Sequence, residues 1–289
     1  MSTAVGKFQV KENSKVKLKS WPTLTEPVYK GDKDYKQLLA DRVKRLSDQQ
    51  SLLYASNQHA VLLIFQAMDA AGKDGAIKHV MSGVNPQGCS VHSFKAPSAE
   101  ELRHDFLWRP TRALPPRGTI GIFNRSYYEE VLVAKVHPSI LVNEGMTADV
   151  SDDKAFWNER YRSINSLERH LSHNGTVIMK FFLHMSKKEQ AKRFLARIDA
   201  PEKNWKFSDA DVTERGFWPQ YMKAYEECLS ATSSKEAPWY VVPADDKENA
   251  RLIVSGIVTK TLEGLKMEYP RVSDEQHQKL LAIRAKLAE

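Results

Sequence analysis

From residue 35 onward, short apolar runs alternate with amphipathic stretches. Leu38, Leu39, Val43, Leu46, Leu52 and Leu53 recur at helical spacing and predict a helix over about 35–57. Val61–Gln66 is short, apolar and partly β-branched, which predicts a buried strand. A glycine-containing turn and a helix over Asp74–Met81 follow, closed by Gly83, Asn85, Pro86 and Gly88. Next come a strand near Cys89–Phe94 and a helix from about Ser98 to Trp108, opened by the capping box Ser98-Ala-Glu-Glu101. Thr119–Phe123 predicts another strand, with a helix from about Ser126. A long amphipathic helix covers roughly 152–172 and stops at Asn174-Gly175, before a strand over Val177–Leu183. Ser186-Lys-Lys-Glu189 is a second capping box and opens a basic helix. A helix at about 211–231, a strand at Trp239–Val242 and a last clear helix from Asp246 to about Lys266 complete the pattern.

Strands that alternate with helices imply right-handed βαβ units and a parallel sheet, an α/β fold. Residues 1–34 are polar, carry Pro22, Pro27 and Gly31, and read as an irregular N-terminal extension. No linker-like break occurs between 58 and 270, so residues 35–289 are expected to form one domain. No repeat of 20–50 residues is evident. Ligands of such sheets bind beyond the carboxyl ends of the strands. The turns after Gln66, Phe94, Phe123, Leu183 and Val242 are therefore where chemistry is sought.

Composition narrows the classes. At 289 residues, 42% hydrophobic and 27% charged, the chain is neither disordered throughout nor collagen-like. The longest strongly apolar run, Val61–Phe65, falls far short of the roughly 20 residues that span a bilayer. The first residues have no apolar core, so no signal peptide and no membrane partner are expected. Cys89 and Cys228 form no CxxC pair, which fits a reducing, cytoplasmic setting. The net charge of +7 favours anionic partners, and it is unevenly spread. Residues 187–206 hold seven basic and three acidic side chains, four of the seven net charges in twenty residues.

Three segments carry the candidate chemistry. Between the first strand and its helix lies Ala67-Met-Asp69-Ala70-Ala71-Gly72-Lys73-Asp74-Gly75, in the strand–turn–helix context of a P-loop. Backbone N–H groups of Ala70 to Gly75 and the helix N-terminus can cradle phosphate, and Lys73 can reach phosphoryl oxygens. Two positions depart from GxxxxGK[ST]: Ala67 replaces the first glycine, and Asp74 replaces the hydroxyl residue that ordinarily binds Mg²⁺. Asp69 could supply a carboxylate instead, although Asp69 and Asp74 also suit helix capping and dipole compensation.

After the third strand comes Asn124-Arg125-Ser126, where a Walker B acid would sit. Asn124 cannot neutralise a metal but can bond to phosphate or to a metal-bound water. Arg125 can hold a phosphate bidentately, and Glu129 lies one turn further on, near the crevice or on a solvated face. On the basic helix, Ala191, Phe194, Leu195 and Ile198 form a buried stripe. Gln190, Arg193 and Arg197 form another, with no acid expected to pair the arginines, so an anion between them would relieve their repulsion. The segment is expected to act as a lid at about 186–210. Lys206, beside Trp205, could contact phosphate, and Arg109 could hold a nucleotide phosphate. His170 and His173 have no third ligand nearby and suit a helix C-terminus better than a metal.

These segments together resemble the polyphosphate kinase 2 family. Gln66-Ala-Met-Asp69-Ala-Ala-Gly72-Lys73-Asp74-Gly75 matches its P-loop, and Phe123-Asn124-Arg125-Ser126-Tyr-Tyr-Glu129 matches its Walker B region. Gln190, Arg193, Arg197, Asp199, Pro201, Trp205-Lys206 and Asp211 match its lid, and the similarity extends over about 35–270. The resemblance implies a thymidylate-kinase-like P-loop kinase fold: a parallel sheet flanked by helices, with a helical basic lid. It implies phosphoryl transfer between inorganic polyphosphate and AMP or ADP, forming ADP or ATP, with Mg²⁺. It assigns Asp69 to metal binding or acceptor orientation. Lys73 and Arg125 would hold the transferring phosphoryl, and Arg193 and Arg197 would clamp it from the lid. Asn124, where other members carry Asp, together with Tyr-Glu129, resembles the class that acts on both mono- and diphosphates. Association into a homo-oligomer is also implied.

Competing expectations are an ATP-dependent nucleoside monophosphate kinase, a nucleotide-binding P-loop scaffold, and a non-catalytic nucleic-acid-binding protein. The last lacks a recognisable RNA- or DNA-binding motif, and its aromatic residues do not interleave with basic ones, so no nucleic acid partner is expected.

Overall fold

The computed structural model describes residues 5–288. The side chains of Val5, Ala148, Asp152, Lys203, Trp205 and Lys206 lie outside the described residues, and the expected phosphate contact of Lys206 with them. Helix α1 (Asp32–Ser56) leads into strand β1 (Ala60–Gln66), helix α2 (Lys73–Val80) and strand β2 (Cys89–Ser93). A short helix α3 (Trp108–Thr111) precedes β3 (Ile120–Asn124), α4 (Glu129–Val136), α5 (Ser139–Asn143) and α6 (Lys154–His173). Strand β4 (Thr176–His184), helices α7 (Lys187–Ile198), α8 (Asp209–Gly216) and α9 (Trp218–Thr232), strand β5 (Trp239–Pro243) and helices α10 (Lys247–Gly264) and α11 (Asp274–Leu287) follow. Among the described residues the strands form one sheet, ordered β2-β3-β1-β4-β5, with every pair parallel. This is the expected α/β architecture.

Strand periodicity divides the core into two layers. Val61, Leu63 and Phe65 of β1 face α1, α2 and α10 with Leu46, Ile77 and Ile253. Leu62 and Ile64 face the opposite way, toward α4, α6 and α9 with Val131, Ile164 and Leu229. Because β1 is central and fully buried, the turn after it is flanked on both sides by turns from neighbouring strands. Phe65 pairs with Asn124 of β3, and Gln66 with Phe182 of β4, so β1 and β3 end within one residue of each other while β4 runs two residues further, to His184.

Four elements differ from expectation. The Ser98–Glu101 capping box forms, with Ser98 N donating to Glu101 Oε2 at 2.7 Å. Yet it opens only a 3₁₀ turn at Glu101–Arg103. Asp105 Oδ1 accepts from Leu107 N and starts a new turn, and Pro110 has no N–H to continue one. The helix expected at 211–231 is two helices broken at Phe217, with Pro219 in the first turn of the second. Residues 8–18 are irregular but not detached. Phe8, Val10, Val16 and Leu18 are buried, and Val10 N→Trp239 O and Val241 N→Phe8 O cover the outer edge of β5. Helix α11 was not expected, since none of its residues is buried and no core-facing stripe marks it.

Candidate functional site

The turn between β1 and α2 is held in a conformation that its sequence only partly favours. Gly72 has φ +101°, at the N-cap of α2, where a glycine is at ease, but Ala70 sits at φ +62°. A left-handed alanine is strained by about 1–2 kcal/mol and must be held from outside. The hold comes from Arg193 on α7, which is 5% exposed. Its Nη1 donates to Ala70 O and Ala71 O (3.1 and 2.9 Å), and its Nη2 donates to Ala244 O and Asp245 O (2.6 and 3.0 Å). Its Nε donates to Glu189 Oε1 at 2.9 Å. Gln190, one turn earlier, donates to Asp69 O at 3.0 Å and accepts from Arg215 of α8.

Arg193 therefore does not stand unpaired beside Arg197. The acid is Glu189, four residues earlier on the same helix. Glu189 was expected to reach back to Ser186 in a capping box, but Ser186 N bonds instead to Asp245 Oδ1 at 2.7 Å, and Ser186 Oγ accepts from Glu189 N. The tertiary partner releases the glutamate to hold the arginine. Arg197 is different: it is half-buried, its guanidinium lies 5.8 Å from the Phe194 ring, and it lines the crevice over the turn.

A crevice of about 600 Å³ opens beyond the strand ends. Asp69 to Gly75 line it from the first turn, Asn124 and Arg125 from the turn after β3, Ser93 to Ala96 from the turn after β2, and Arg197 and Asp211 from α7 and α8. Lys73 Nζ donates to Ala67 O at 3.0 Å, so the amine folds over its own loop. Burial and the Arg125 charge lower its pKa, which the neighbouring carboxylates only partly offset. Arg125 has φ +64°, and its N donates to Phe65 O. Its guanidinium lies between Asp69 (3.2 Å) and Glu129 (3.4 Å). Burial raises the Glu129 pKa against the opposing pull of Arg125 and Lys73. Asn124 Nδ2 donates to Asp74 Oδ1 at 2.7 Å, which ties the two turns together.

The structure thus brings Asp69, Lys73, Asp74, Asn124, Arg125, Glu129 and Arg197 to one place. Arg109 lies beside this group, at the wall of two adjoining cavities; its Nη1 donates to Lys95 O, and it pairs with Glu101 at 3.6 Å. His170 and His173 lie at the far, C-terminal end of α6. Among the described residues no cluster of three or more His, Cys, Asp or Glu could by itself hold a metal. Mg²⁺ on a phosphate substrate needs only one or two carboxylates from the protein, the phosphates and water completing the shell. Asp69, about one-third exposed and in the crevice, fits that demand, whereas Glu129 is more buried and committed to Arg125.

Two further cavities flank the crevice. One of about 380 Å³ shares Ala70 to Gly72, Gly75 and Arg197 with it, and adds Lys247 and Arg251 of α10. With Arg193 it has four cations and no acid among its described lining residues. Burial and the neighbouring arginines lower the Lys247 pKa. The other, of about 320 Å³, is lined by Pro97, Leu102, Val133 and Ile140 with Arg109, Arg125 and Glu130. Lys247 and Arg251 escaped the sequence reading, although they lie four apart on the helix after the last strand, one of the places where ligands bind.

Residues 29–270 match the polyphosphate kinase 2 family. An ADP-polyphosphate phosphotransferase of Rhodopseudomonas palustris is 62% identical over 287 residues, covering 99% of each chain. An AMP/ADP-polyphosphate phosphotransferase of Meiothermus ruber is 43% identical over 266 residues, covering 92% of this chain and 95% of its own. The crystal structure of polyphosphate kinase 2 from Arthrobacter aurescens superposes with a TM-score of 0.87 at 38% identity, covering 98% of both chains. Matched by the family over residues 29–270 and by these relatives over nearly its whole length, the chain belongs to the polyphosphate kinase 2 family.

Proposed function

We propose that this protein transfers a phosphoryl group between inorganic polyphosphate and the terminal phosphate of AMP or ADP. The observation that carries this reading is the position of the P-loop between two unlike cavities. The cationic, acid-free one suits an extended polyanion, and the mixed apolar and polar one suits a nucleoside. With Arg193 committed to the loop, Arg197, Lys247 and Arg251 remain to face a ligand there, more positive charge than a single nucleotide needs on the far side of the loop.

In the forward direction, a terminal oxygen of the nucleotide attacks the terminal phosphorus of polyphosphate. The bridging P–O bond breaks, and the chain leaves one unit shorter. The protein forms no covalent bond, so catalysis rests on in-line positioning and charge neutralisation. Lys73 and Arg125 hold the transferring group, and the incoming negative charge favours the ammonium form that burial disfavours. Arg197 approaches from the lid. Arg193 keeps the loop in its left-handed shape rather than clamping substrate. Asp69 would hold Mg²⁺, which supplies further neutralisation of charge on the phosphates.

The names of the two relatives differ on one point, since the more similar acts on ADP and the other on both AMP and ADP. Asn124 and Glu129 support the dual specificity. The test is ATP formation from AMP and from ADP with long-chain polyphosphate and Mg²⁺, for wild type and Asp69→Asn. Polyphosphate-dependent turnover that is lost in the variant is the expected result, with the AMP arm deciding the acceptor range. Transfer from ATP to a monophosphate without response to polyphosphate would overturn the reading.

A further inference from the structure

Behind the Asn124–Glu129 segment, on the side of the sheet away from α2, a lysine and a glutamate are buried together. Lys180 lies mid-β4, between Ile64 of β1 and Trp239 of β5, and is fully buried. Its Nζ donates to Glu168 Oε2 (2.5 Å), Tyr128 Oη (2.9 Å) and Thr232 O (2.6 Å), which uses all three ammonium protons. Glu168 Oε1 accepts from both the Tyr127 and Tyr128 hydroxyls, at 2.9 and 2.8 Å. Burial drives both phenol pKa values up, so both remain donors.

Such a pair is not required for stability, because apolar side chains of similar volume often serve as well or better. Its geometry has a different consequence. Two consecutive hydroxyls that converge on one carboxylate oxygen fix the rotation of the backbone at 127–128. Ser126 is fixed from the near side, its Oγ accepting from Gln66 Nε2 and Tyr128 N at 3.2 and 3.1 Å. Arg125 and Glu129 lie immediately on either side of this anchored tripeptide. Arg125 is left-handed, a conformation that a non-glycine residue keeps only when its surroundings impose it.

We propose that Glu168, held by Lys180, is a positioning residue for the transfer reaction. Through the Tyr127 and Tyr128 hydroxyls it keeps Arg125 in the left-handed geometry in which its guanidinium bridges Asp69 and Glu129. The turnover readout below rests on the proposed phosphotransferase activity; the binding readout does not.

The decisive variant is Tyr127→Phe/Tyr128→Phe, which removes two hydroxyls and leaves both rings in the core. Its thermal midpoint, its kcat and KM for polyphosphate-dependent ATP formation, and its calorimetric Kd for tripolyphosphate are compared with wild type. The expected result is a kcat lower by roughly ten- to hundredfold, as for a small misplacement of a reacting group. The nucleotide KM should stay within about twofold, while tripolyphosphate binds about three- to tenfold more weakly. Adding Glu168→Met and Lys180→Met should recover the thermal midpoint but not kcat, and this second variant also covers the case in which the first folds poorly. A double variant with wild-type kcat and wild-type tripolyphosphate affinity would overturn the proposal. So would a kcat that returns along with stability in the apolar variant. If wild type shows no polyphosphate-dependent turnover, the proposed activity falls, and unchanged tripolyphosphate affinity in the double variant would separately sink the positioning role.

Discussion

Arg193 and Arg197 lie one turn apart on α7 and look interchangeable in the sequence, yet their replacement should fail in different ways. Arg193→Ala deletes a buried ion pair with Glu189 and the donors to four carbonyls of two turns. Removing one partner of a buried pair costs about 3–5 kcal/mol. For a chain of this size each kcal/mol lowers the midpoint by roughly 2–4 °C, so a fall on the order of 10 °C is expected. Arg193→Lys should recover only part of it, since one ammonium cannot span five acceptors. Arg197→Ala removes a half-buried side chain at the crevice, and its stability should change by no more than about 0.5 kcal/mol. Its turnover should nevertheless drop by roughly 10²–10³, the usual loss when one electrostatic stabiliser of a transition state is removed. Scanning calorimetry and steady-state kinetics on both variants make the comparison. The reasoning is refuted if Arg193→Ala melts with wild type, or if Arg197→Ala loses as much stability as Arg193→Ala.

Lys247→Ala and Arg251→Ala should raise the KM for long-chain polyphosphate more than that for tripolyphosphate, because both cations line the cavity beyond the loop; equal effects on the two donors would argue against that path. Phe8→Ala should destabilise by about 3–5 kcal/mol in urea titrations, since the ring is buried over β5. Burial, with Glu144 adjacent, pushes the Glu130 carboxyl up to about 8. The folded chain thus keeps a proton that the unfolded one loses above about 4.5, and stability should fall as pH rises from there through about 8. Burial lowers His184 to about 4, so the unfolded chain takes up a proton first below about 6.5, and stability should also fall as pH drops from 6.5 toward 4. The two slopes are opposite and cancel between about 4.5 and 6.5, so measured midpoints should be flat there and fall as pH rises above about 6.5, and Glu130→Gln should remove that alkaline fall.

The parallel sheet and the P-loop were legible because each depends on short-range pattern; α7 was legible as a helix, but of its expected buried stripe only Phe194 is buried, while Leu195 and Ile198 are exposed. An apolar run such as Val61–Phe65 has to be a buried strand, and Gly72-Lys73 after it has to open a helix. Residues 98–112 misled for a local reason, a capping signal undone by Asp105 and Pro110 a few positions later. The N-terminal residues misled for a global one. Phe8 and Val10 look unremarkable in a polar segment until β5, over 220 residues away, offers them an edge.

Residue types and spacing determined which groups reach the crevice, because the turns that follow parallel strands lie at the same end of a sheet. What each group does there was decided by contacts across the chain. Glu189 is a capping residue by its spacing, and only Asp245, taking its place at Ser186 N, turns it toward Arg193. Arg193 is a substrate clamp by composition, and only the carbonyls of Ala70, Ala71, Ala244 and Asp245 turn it into the brace of the loop. Tyr127 and Tyr128 are core aromatics by pattern, and only Lys180 and Glu168 give their hydroxyls a direction. Periodicity records which face a side chain takes, but a hydrogen bond is fixed by distance and angle, and those exist only once distant segments have packed.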